Sequence, residues 1–133
     1  MTVLDNRYEI FGGIALGGLS SARKAPDTAF LKEMACREEF QLLMCHHPEY
    51  FPAAVLNRDI DLTIAGHAHG GQVRLGKQGL FAPGQGILPK LTSGVYYDDR
   101  LLVSRGVTNA TWAPRIHCAC EVIMLHLEVS SHA

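Results

Sequence analysis

The chain has 133 residues, enough for one domain with a real hydrophobic core. Hydrophobic residues make up 47% and charged residues 19%, which is wrong for a disordered chain. The formal net charge of −1 leaves no basic footprint, so nucleic acid and anionic membrane surfaces are not expected partners.

No apolar run approaches the ~20 residues of a membrane-spanning helix. The apolar stretch 10–19 is rich in glycine and lacks the positive flank of a signal peptide. The expectation is a cytoplasmic chain with no membrane segment, or one detached from its own targeting segment. Cys36, Cys45, Cys118 and Cys120 follow neither zinc-finger nor redox spacing and read as small buried hydrophobes kept reduced. Arg23–Lys24, the one adjacent basic pair, reads as part of a solvated face.

In chain order, 3–4 and 8–11 read as short strands around a polar turn at Asp5-Asn6-Arg7, followed by a strand at 14–16. Asp27 can cap a helix with Phe30, Leu31, Met34 and Ala35 at helical spacing. Phe40–Cys45 is a continuous apolar run, expected of a strand covered on both faces. Pro48 opens a second helix with Tyr50, Phe51, Ala54, Val55 and Leu56 along its stripe. Residues 61–65 return as another buried strand. Strand, helix, strand with short connections is a βαβ unit, so these two strands should be parallel neighbours.

Beyond Gly66 the chain is rich in glycine, proline and polar residues. Strands are expected at 73–75, 91–96, 101–105 and 121–129. In the last, Ile123, Leu125, Leu127 and Val129 alternate with more polar positions, leaving His126 exposed or half-exposed. No repeat, charge block or domain boundary interrupts the chain. The pattern is α/β, a sheet covered by helices on one side.

Histidines stand just past both predicted strand ends. Phe40–Cys45 runs into His46-His47-Pro48, and 61–65 runs into Gly66-His67-Ala68-His69-Gly70-Gly71. Ligands bind beyond the carboxyl ends of parallel strands, so the two clusters can meet. Neutral imidazole is the commonest side-chain ligand for zinc, iron and related metals, and the glycines permit positive φ and close backbone approach. His46 and His47 are consecutive and point to opposite sides of an extended backbone. At most one should reach an ion seen by His67, and spacing does not say which.

The segments LLMCHHPEYF, DLTIAGHAHGGQVRL and KLTSGVYYDDRLLVSRGV resemble the C-terminal half of calcineurin-like metallophosphoesterases. The likeness is greatest to the bacterial branch with an LLxxHxP segment and a GHxHGGQ segment. It implies half of an α/β/β/α sandwich, a mixed sheet with helices on one side, covering 1–133 as a partial domain. It also implies hydrolysis of a phosphomonoester or phosphodiester at two divalent ions (manganese, iron, zinc or similar). His46 and His67 then match the histidines on one metal, which favours His46 over His47, and His69 matches the histidine on the other. Gly66, Gly70 and Gly71 match the loop that shapes the site.

The chain departs from that pattern at its N-terminal side. The family's Asp-x-His motif, bridging Gly-Asp motif and Gly-Asn-His segment are not in this sequence, and its catalytic histidine belongs to the last of these. The chain is therefore expected to be a truncated frame, a fragment or one part of a split protein, inactive alone. It is expected to form a dimer or to associate with the missing half. A non-catalytic metal-binding or scaffold fragment is the alternative, and a non-functional remnant a third reading.

Elsewhere, Arg74 reads as an exposed strand arginine, or else as a charge partner for a substrate phosphate. The resemblance places Ser104, Arg105, Gly106 and Asn109 near the site rim and gives them no ligand role. Trp112 with Pro114 reads as loop packing, Asp98-Asp99 as a hairpin turn, and His117 as a strand-end histidine.

Overall fold

The computed structural model describes residues 2–21, 26–109 and 114–128. The expectations for Arg23–Lys24, Trp112 and Val129 lie outside these residues. The fold is mixed α/β, built on a six-stranded sheet with few helices.

The strands in chain order are β1 (Arg7–Phe11), β2 (Ile14–Leu19), β3 (Phe40–Cys45) and β4 (Leu62–Ala65). They continue with β5 (Arg74–Leu75), β6 (Gln78–Gly79), β7 (Phe81–Ala82), β8 (Gly86–Ile87), β9 (Gly94–Tyr96) and β10 (Leu101–Val103). Across the main sheet the order is β1-β2-β3-β4-β10-β9, while β5-β6 and β7-β8 form two small hairpins. β2, β3, β4 and β10 run parallel, and antiparallel partners β1 and β9 close the two edges. The parallel pairing of β3 with β4 agrees with the βαβ expectation.

One helix, α1 (Ala29–Met34), connects β2 to β3, and the Asp27 carboxylate accepts the Ala29 N–H at its start. The helix expected after Pro48 shrinks to one wide turn at Phe51–Val55, closed by the Leu56 N–H on the Phe51 carbonyl. Pro52 explains the difference: it has no N–H to give, and its ring crowds the carbonyl four residues back. Leu31, Met34, Phe51 and Val55 are fully buried together with Leu43, Leu101 and Val103 on one face of the sheet. Burying one such side chain contributes ~1.5–3 kcal/mol.

The opposite face is open. Along β3, Phe40 and Met44 are exposed while Gln41, Leu43 and Cys45 are buried, which corrects the expectation of a strand covered on both sides. Residues 3–4 form no strand; instead Leu4 lies over Gly18, where an added Cβ would collide with the Leu4 carbonyl oxygen. Among the described residues, 121–128 also form no strand. The two-residue alternation survives only as exposure, with Val122 and Met124 at 84% and 83% against 39% for Ile123 and 37% for Leu125. Cys36 and Cys120 are exposed, so only Cys45 and Cys118 are the buried hydrophobes expected, and all four thiols are free. Asp98-Asp99 does form the turn between β9 and β10, with both residues at positive φ.

Candidate metal centre

The parallel pairing of β3 and β4 carries on past their ends. The His46 carbonyl accepts the N–H groups of both Gly66 (3.2 Å) and His67 (2.9 Å). That tether sets two histidines from distant parts of the chain side by side, with His67 Nδ1 3.1 Å from His46 Nε2. Two ligands of a tetrahedral zinc ion stand roughly 3.4 Å apart, given zinc–nitrogen bonds of about 2.0–2.1 Å. Cys45, one residue earlier, turns the other way into the core, where burial pushes its thiol up to about 12.

His47 joins the group as well, which corrects the expectation that only one of the two consecutive histidines could reach His67. β3 ends at Cys45, so the alternation of an extended strand does not carry through His46 and His47. Its ring lies 4.1 Å from that of His67 and stacks on Tyr50 at 4.8 Å. The turn at Pro48 brings Glu49 alongside, with Oε1 3.1 Å from His47 Nδ1. One ligand atom from each of His47, Glu49 and His67 falls within 4.8 Å of the other two. Glu49 was not singled out from the sequence, although an acid two residues beyond a histidine, across a proline turn, is a legible signal.

His69 occupies the next turn, half-buried, with Nδ1 3.0 Å from the Thr108 carbonyl. A carbonyl only accepts, so this contact places the proton on Nδ1 and leaves the Nε2 lone pair free for an ion. The turn runs through positive φ at four residues in succession, His69, Gly70, Gly71 and Gln72 (46°, 68°, 80° and 54°), and the strain falls on the two that are not glycine, His69 and Gln72. Glycine is required at its centre. A Cβ on Gly70 would meet Cys118 Sγ at 2.5 Å, and one on Gly71 would meet the Gly79 Cα at 2.5 Å. Gly66, by contrast, has open space where a Cβ would go.

Arg74 holds this turn from behind. It is buried, against the expectation of an exposed strand arginine. Its guanidinium donates to the Gly70 carbonyl at 2.6 Å, to Ser93 Oγ at 3.1 Å and to the Lys77 carbonyl. Those partners are internal, so the side chain is committed to the loop. Cys118 donates to the His69 carbonyl, while Arg105 packs at the rim and is bound by Glu121. His117 and His126 are exposed, and neither is among the three residues whose ligand atoms converge.

The electrostatics favour the neutral imidazole at His46 and His67. Burial, then the nearby His47 and His69, push His46 below its ordinary range, against the pull of Glu49. Burial, then His47 and His46, push His67 the same way. Neutral imidazole is the form that ligates metal. Two dications held by His46, His67 and His69 alone would meet no negative charge, so those three residues do not by themselves fit a two-ion centre. A single ion fits better, since Glu49 stands at the cluster's edge.

Among the described residues, no helix is long and apolar enough to cross a membrane. No protein-family model and no solved structure matches the chain. An uncharacterized protein, YpbG of Bacillus subtilis (strain 168), is 30% identical over 95 residues, which cover 70% of this chain and 34% of that protein. The chain therefore matches one portion of a longer relative.

Proposed function

We propose that this chain is the C-terminal half of a metal-dependent phosphoesterase, holding the histidines of its metal centre at the ends of β3 and β4. The observation that carries this reading is the 3.1 Å approach of His46 and His67, 21 residues apart in sequence, in the two segments that resemble calcineurin-like metallophosphoesterases. The turn supports it, because His69 and Gln72 hold positive φ without being glycine, and strain of about 1–3 kcal/mol at such a residue is characteristically retained at functional sites. His46 and His67 would share one ion and His69 would face a second. The remaining ligands, the bridging carboxylate among them, would come from an N-terminal half. The open apolar face of the sheet, with Phe40, Met44 and Val95 exposed, suits the seat of that half in the sandwich.

The test is turnover of bis-p-nitrophenyl phosphate with manganese, by this chain and by a longer protein that includes the upstream motifs. The reading expects negligible activity from the chain alone, activity from the longer protein, and its loss on His67→Ala. Metal-dependent turnover by the purified chain alone would contradict it, as would a longer protein indifferent to His67→Ala.

A further inference from the structure

We propose that His47, Glu49 and His67 form a cation site of their own, able to hold one divalent transition-metal ion within this chain. The inference does not depend on the phosphoester reading; both use the His67 imidazole, so an ion held here and an ion shared by His46 and His67 are alternative occupancies of one cluster. Three observations carry it. First, the three side chains converge, each with a ligand atom within 4.8 Å of the others, so an ion bound here would draw them inward to the roughly 3.4 Å separation of two ligands on one metal.

Second, the set is chemically balanced. It pairs two imidazoles with one carboxylate, a donor set suited to zinc or cobalt, and Glu49 supplies the negative charge that His46, His67 and His69 lack. Third, Glu49 has coordinating capacity to spare. Its Oε1 faces His47 Nδ1 at 3.1 Å, whereas Oε2 is buried with no hydrogen-bond partner among the described residues. A buried carboxylate oxygen without a partner is unfavourable, and a bound cation would satisfy it.

The scaffold holds these groups in place. His47 is stacked on Tyr50, and the Tyr50 N–H closes a turn on the His47 carbonyl at 3.1 Å. Gly84 leaves room for the carboxylate, since a Cβ there would collide with Glu49 Oε1. His67 is fixed through its N–H on the His46 carbonyl. The set therefore joins the turn after β3, the end of β4 and the β7–β8 hairpin, and an ion there would tie them together.

The experiment is titration of the metal-free chain with cobalt(II), followed by visible absorption. The wild type should bind one equivalent with the intense bands of a low-coordinate site. Glu49→Gln and His47→Ala should each weaken binding at least tenfold while leaving the far-ultraviolet circular dichroism unchanged. Where a variant fails to fold, nitrogen-15 spectra of the wild-type imidazoles decide: zinc should shift both His47 and His67. The proposal is overturned if the chain binds no cobalt or if the His47 nitrogens do not respond to zinc. It is equally overturned if Glu49→Gln and His47→Ala bind as wild type. Loss of the ion on His46→Ala with Glu49→Gln unaffected would overturn this site and leave the phosphoesterase reading standing.

Discussion

Arg74 donates a 2.6 Å hydrogen bond to the carbonyl of Gly70, four residues earlier, and so clamps the turn that carries His69. The clamp explains how His69 and Gln72 keep positive φ without being glycine. A charged donor buried among carbonyls and hydroxyls leaves them unsatisfied when it is removed. Arg74→Ala should cost about 2 kcal/mol or more in urea unfolding. A loss under about 0.5 kcal/mol, ordinary for a surface substitution, would show that the clamp is dispensable.

The glycines of the same turn should differ among themselves. Gly70→Ala and Gly71→Ala combine positive φ with contacts at 2.5 Å, so each should destabilise by roughly 2 kcal/mol or more. Gly66→Ala meets open space and should stay within about 0.5 kcal/mol of wild type. Equal losses at all three positions would mean that the turn is shaped differently.

The strands that position the site were legible because their signals are local. The apolar run 40–45 gave β3 to the residue, and a βαβ reading placed β4 beside it. What was not legible depends on partners. Arg74 looks like any strand arginine until Ser93 and the Gly70 carbonyl fold around it. The alternation at 121–128 describes an extended segment, but a strand also needs a neighbour, and the chain there is held by a Glu121 N–H on the Gly106 carbonyl. That a histidine after β3 would meet His67 followed from strand order, with His46 favoured only by the resemblance, whereas the approach of Glu49 required the shape of the Pro48 turn.

Adjacent positions on β3 report which face is covered. Leu43 is fully buried against the helical side, so Leu43→Ala should cost about 2–5 kcal/mol. Met44 is 44% exposed on the open face, and Met44→Ala should cost under about 1 kcal/mol in the same unfolding series. Comparable losses would place a packed layer on both faces.

Acid should release the segment after Cys120. Burial works against the Glu121 charge, but hydrogen bonds from the Arg105 guanidinium and backbone N–H outweigh it and hold the carboxyl below its ordinary range. A depressed carboxyl contributes stability that is full above the unfolded value near pH ~4.3 and disappears as pH falls through the folded one. Glu121→Gln should therefore be less stable than wild type at pH 7, by on the order of 1 kcal/mol, and equal to it in strong acid. A difference that persists unchanged into acid would remove the ion pair as its cause.

His67 belongs to every arrangement of ligands considered for this cluster, so zinc binding by the His67→Ala variant tests the account most directly. Equilibrium dialysis of the chain against zinc at pH 7.5, followed by elemental analysis, should give one bound equivalent for the wild type. His67→Ala should retain less than a tenth of that while keeping the wild-type circular dichroism. A folded His67→Ala chain that still binds one equivalent of zinc, or a wild type that binds none, would contradict the claim that the ends of β3 and β4 form a metal centre.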